Sequence, residues 1–123
     1  MKVKFYTKNF RYWTKDYPLH YLWNGKHIYV KLSDINKHTC EDNAKQKCVA
    51  IMKKKRMAKY NLFMYERRTY ITYDLASEYL NLIIDRDFGI IRAKETIFDK
   101  LRDCIFWNVT DISFEDIKNK EKE

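Results

Sequence analysis

The 123-residue sequence predicts a single α+β domain: N-terminal β-hairpins, interspersed short helices and a closing C-terminal amphipathic helix. Three observations carry that expectation. Strand-like runs rich in Val, Ile, Tyr, Phe and Trp occupy residues 3–30 and return at 62–72. Asn24-Gly25 separates two such runs, where positive φ angles suit a two-residue type I′ hairpin turn. From residue 72 onward the apolar residues recur at helical spacing. With no repeat, low-complexity stretch or Gly/Ser/Pro linker, one domain is expected over 1–112, followed by a charged tail over 113–123.

Each element has a local reason. Val3 to Trp13 alternate loosely and suit one or two strands. Leu19–Trp23 and Lys26–Val30 flank Asn24-Gly25 as the first hairpin. Ser33 can cap a short helix through Lys37. Thr39, with Asp42 three residues on, has the form of a second helix start, after which Ala44, Cys48, Ile51 and Met52 make one apolar stripe. Lys55 falls back on that stripe, so this helix is expected to end near residue 54. Leu62–Tyr65 and Thr69–Thr72 form a second hairpin about Glu66-Arg67-Arg68. Thr72 can cap a helix from Asp74 to Ile84, whose apolar arc of Leu75, Ala76, Tyr79, Leu80, Leu82 and Ile83 marks it as central to the core. A last long helix is expected over 92–106, burying Ala93, Ile97, Leu101, Cys104 and Ile105. Ser113 would then cap a short helix that frays from Lys118.

Charge is the strongest functional signal. The formal net charge is +8, but residues 1–68 hold 17 Lys/Arg against 5 Asp/Glu (+12), and residues 69–123 hold 8 against 12 (−4). Such asymmetry suits a polyanion bound through one part of the molecule. Apolar runs such as Leu82-Ile83-Ile84 fall far short of the ~20 residues of a membrane span, so no membrane is expected. Met1-Lys2-Val3-Lys4 does not read as a secretory signal, and three scattered cysteines favour an intracellular, reducing compartment.

Catalysis finds little support. The histidines are His20, His27 and His38, and no nucleophile elbow accompanies them. His38 and Cys40 are near in sequence, which says nothing of triad geometry. The carboxylate pairs Glu41-Asp42, Asp85 with Asp87, and Glu115-Asp116 each suit a helix first turn, a loop or a solvated tail. His38-x-Cys40-x7-Cys48 lacks the close cysteine pairs of a zinc site, and Cys48 and Cys104 fall on apolar stripes. No catalytic residue, metal or cofactor is therefore expected.

The basic constellation stands above background. Lys45, Lys47, Lys53, Lys54, Lys55, Arg56 and Lys59 occupy the second helix and its exit, and Arg67 and Arg68 sit at the second hairpin turn. These side chains can neutralise phosphates, and a two-stranded ribbon fits a major groove. Lys53-Lys54-Lys55-Arg56 would also pass for a nuclear import signal. Tyr6, Tyr12 and Trp13 could stack on single-stranded bases, although strand packing is the commoner role.

The order of elements resembles a known family. Leu19–Leu32 with its Asn24-Gly25 turn, and Ile28-Tyr29-Val30-Lys31-Leu32-Ser33-Asp34-Ile35, resemble the opening of the Bro-N domain of baculovirus repeated-ORF proteins and phage antirepressors. Asp42-Asn43-Ala44-Lys45-Gln46-Lys47-Cys48-Val49 is similar to its second helix, Thr69-Tyr70-Ile71-Thr72 leading into Leu75–Ile83 to its next strand and helix, and Ala93–Phe106 to its closing helix. The likeness spans about residues 15–107. It implies a viral or phage DNA-binding regulatory domain with no catalytic residues. Together with the basic constellation, the leading expectation is a non-enzymatic DNA-binding regulator of transcription, duplex favoured over single strands, in a host nucleus or cytoplasm. The same charges suit a small viral inhibitor or adaptor that binds an acidic or DNA-mimicking host protein. A third alternative is an RNA or single-stranded DNA binder. Homodimerisation over two half-sites stays open.

Overall fold

The computed structural model describes residues 2–89 and 95–121, with side chains through Asp116. Strand β1 (Lys4–Tyr12) pairs along its whole length with β2 (Lys15–Trp23), from Lys4↔Trp23 to Tyr12↔Lys15. Residues 15–18, with two charges and a proline, do not read as a strand. The His20 backbone N–H turns away from β1 to Asp34, 2.7 Å away. Pro18, two residues earlier, therefore presents its missing N–H on the same side, where β3 does not reach.

Strand β3 (Ile28–Lys31) pairs with β2, and a second hairpin, β4 (Leu62–Tyr65) and β5 (Arg68–Ile71), completes the antiparallel sheet in the order β1-β2-β3-β5-β4. The first turn is shifted by one residue from expectation. Asn24 pairs with His27, so Gly25 and Lys26 are the central residues, and only Gly25 has positive φ (96°). That is the pattern of a type II′ rather than a type I′ turn. The Asn24 side chain accepts from the Lys26 and His27 N–H groups at 3.0 and 2.8 Å, which stabilises the shifted turn.

Helix α1 (Leu32–Thr39) follows β3 directly, so Ser33 lies inside its first turn and caps nothing. Buried Asp34 instead takes the His20 N–H and lies 2.8 Å from its Nδ1, closing the β2 edge beyond β3. Thr39 is likewise no cap. It ends α1, and its hydroxyl donates to Asn36 Oδ1, which also accepts from the Glu41 N–H and the Tyr79 hydroxyl. Helix α2 (Ala44–Lys55) starts at Asn43 without a side-chain cap and buries Cys48 and Ile51 as its stripe predicts.

Helix α3 (Tyr73–Phe88) has the expected Thr72 cap, whose hydroxyl accepts from the Leu75 N–H and donates to buried Asn61. It buries Leu75, Ala76, Tyr79, Leu80, Ile83 and Ile84 and packs between the two flanking helices. Leu82 was expected in that arc but is exposed, with Ile84 buried in its place. Helix α4 (Ile97–Glu121) starts later than residue 92, at a reciprocal box in which Thr96 and Asp99 accept each other's backbone N–H. Ser113 caps nothing either: it lies mid-helix and donates to the Val109 carbonyl. The expected burial of Ala93 falls outside the described residues. Phe98, Leu101, Ile105 and Ile112 of α4 join the main core under the sheet. A smaller cluster, Leu22, Tyr29 and Tyr70 with Phe63 and Tyr65, occupies the opposite sheet face.

Candidate nucleic-acid interface

The helix order α2-α3-α4 divides the charge between two flanks. On the β1 flank, α4 neutralises strand lysines: Lys8 lies 2.8 Å from Glu115 and Lys4 3.6 Å from Asp116. On the other flank, α2 faces the edge strand β4, and the basic constellation gathers there.

How α2 ends shapes this flank. Arg56 adopts a left-handed conformation (φ 54°), its N–H bonds the Lys53 carbonyl at 3.3 Å, and the Met57 N–H bonds the Met52 carbonyl at 2.9 Å. These paired bonds form a Schellman motif, which turns the chain back on the helix. Val49 and Met52 of α2 then meet Met57 and Leu62 across a groove of about 520 Å³. Lys53, Arg56 and Lys59 rim it. Lys45 projects from the same helical face as Val49 and Met52, given 100° per residue.

Arg67 and Arg68 lie at the far end of the β4–β5 hairpin, lining a depression of about 290 Å³ with Ser33 and Asn36 of α1 and Ala44 at the start of α2. The hairpin thus brings the arginines to the Lys45 end of α2 and leaves the groove at the other end. Lys45, Lys53, Lys54, Arg56, Lys59, Arg67 and Arg68 are all exposed, and none has a carboxylate partner among the described residues. Lys54 projects from the opposite side of α2 to Lys45.

Two expected phosphate ligands are engaged within the protein. Lys47 pairs with Glu41, and Lys55 lies 3.6 Å from Glu78 of α3. Glu41 also takes the Arg86 guanidinium. Hydrogen bonds from Arg86 and Lys47 hold its carboxyl down to about 2.

The remaining candidates are dispersed. Tyr6 and Tyr12 pack against the core, leaving Trp13 as the open aromatic of the three, 82% exposed and on the turn between β1 and β2. His38 sits edge-on to Phe10 and Tyr17, at 5.4 and 4.8 Å, while the Cys40 thiol points to the Lys37 carbonyl. Burial pushes the Cys48 thiol up to about 12. No group of three metal-ligating side chains occurs among the described residues. The apolar groove floor was missed in the sequence, because Met57 and Leu62 reach α2 only through the Schellman turn. No family model, curated protein or solved structure matches the chain.

Proposed function

We propose that the protein is a non-enzymatic, duplex-DNA-binding regulator of viral or phage type, as its resemblance to the Bro-N domain implies. One observation carries the reading: seven cations on and around α2 and the β4–β5 tip lack a carboxylate partner among the described residues, while Lys4 and Lys8 on the opposite flank are paired with α4. A helix of 12 residues spans about 18 Å, room for several phosphates along one backbone. With about six phosphates neutralised, log K against log salt should fall with a slope near −5. Titrating a duplex across salt concentrations measures this. Lys53→Glu with Arg56→Glu should abolish binding while the thermal melt stays unchanged. A slope near −1, or undiminished binding in that variant, overturns the proposal.

A second reading has its own support. Phosphates do not need the apolar floor of Val49, Met52, Met57 and Leu62, whereas an acidic protein segment with apolar anchors would use it. A stoichiometric protein partner captured after nuclease treatment, and released by the same charge reversal, would favour it.

A further inference from the structure

Helix α4 presents an outward stripe opposite to its buried side. Asp103, Trp107, Asp111 and Phe114 recur at i, i+4, i+8 and i+11, which places them within one third of the helix circumference. Trp107 and Phe114 are 62% and 61% exposed. Neither Asp103 nor Asp111 has a cationic partner among the described residues. Two large aromatics alternating with two free carboxylates form an unusual solvent face, because such rings contribute most when buried.

The chemistry of its complement exists on the same chain. The α2 groove offers a floor of two methionines, a valine and a leucine, rimmed by Lys53, Arg56 and Lys59. Methionine is the side chain that adapts best to an inserted ring. The two surfaces lie on opposite flanks of the sheet with α3 between them, so they do not meet within one molecule. We propose that the α4 stripe of one copy docks into the α2 groove of a second copy, with Trp107 and Phe114 on the methionine floor and Asp103 and Asp111 facing the cationic rim.

The contact is heterologous, so it propagates head to tail unless the rotation closes a ring. An antiparallel pairing of two α4 stripes is disfavoured, since it would set Asp103 against Phe114 and Asp111 against Trp107, giving neither carboxylate a cation from the stripe. Resting on the DNA-binding reading, the same contact regulates it: the groove's cations serve either phosphates or the acidic helix of a neighbour. Self-association and DNA binding therefore compete.

Sedimentation across a wide concentration range tests this on the full chain. The wild type should gain mass with concentration and lose it with added salt. A stripe variant, Trp107→Ser with Phe114→Ser, and a groove variant, Lys53→Glu with Arg56→Glu, should each stay monomeric. Their equimolar mixture should form a dimer and nothing larger, because each retains the one surface that the other lacks. Asp111→Lys, which leaves the aromatics in place, should weaken the association as well. A wild type that stays monomeric, a mixture that stays monomeric, or a stripe variant that still associates overturns the proposal. Duplex binding by the stripe variant reports on the DNA reading separately: retained there and lost in the groove variant, it stands whatever the sedimentation shows.

Discussion

Glu41 shows how a single side chain redirects the charge expected on α2. Its carboxylate takes both Lys47 of α2 and Arg86 of α3, so it ties the α1–α2 connection to the central helix. Glu41 is buried while both cations stay partly exposed, and Glu41→Gln, which loses two charge-assisted hydrogen bonds, should cost about 1–3 kcal/mol in chemical denaturation at neutral pH. The carboxyl ionises at about 2 in the folded chain against an ordinary 4.5. Its contribution is therefore complete above 4.5 and lost as the pH falls toward 2, and Glu41→Gln should flatten stability across that window. Lys47→Ala should destabilise the fold yet leave the salt slope of DNA binding unchanged, whereas Arg56→Ala should reduce its magnitude by about 1. Lys47 and Arg56 look alike in the sequence. They differ because Glu41 lies near one and, among the described residues, no carboxylate reaches the other.

Among the elements, the hairpins carry the clearest local strain. Glu66 and Arg67 both have positive φ, 48° and 65°, the conformation of a type I′ turn built without glycine or asparagine. Trp13 holds φ 59° on the β1–β2 turn. A side chain in this region costs about 1 kcal/mol relative to glycine. Trp13→Gly should raise the melting temperature by several degrees, as about 1 kcal/mol does in a domain of this size, with duplex affinity unchanged. Arg67→Gly should raise it similarly but weaken DNA binding, so the tip would exchange fold stability for phosphate contact. The second hairpin was legible because β-formers flank a polar triplet, and the Thr72 cap because a hydroxyl precedes a helical apolar pattern. Residues 15–18 were not legible. Their strand exists because β1 pairs with them and Pro18 falls where no N–H is required. The start of α4 at Ile97 was not legible either, because the Thr96–Asp99 box outweighs apolar periodicity.

For the molecule as a whole, the layering of helices on one sheet face decides where charge is free. α4 brings Glu115 and Asp116 to β1, more than a hundred residues away in the chain, and neutralises Lys8 and Lys4. Lys8→Ala should therefore leave the salt slope unchanged, although Lys8 belongs to the basic half of the sequence. α3 brings Glu78 to Lys55 in the same way. The sequence by itself determined the α+β class, the apolar stripes of α2 and α3, the β2–β3 and β4–β5 hairpins and the net charge of each half. These follow from backbone propensity and side-chain periodicity, which act between near neighbours. Only the tertiary structure decided which cations stay unpaired, that methionines floor a groove between them, and that an acidic aromatic stripe lies on the far flank. Ion pairing and groove formation act through space, between residues whose separation along the chain carries no trace of the contact.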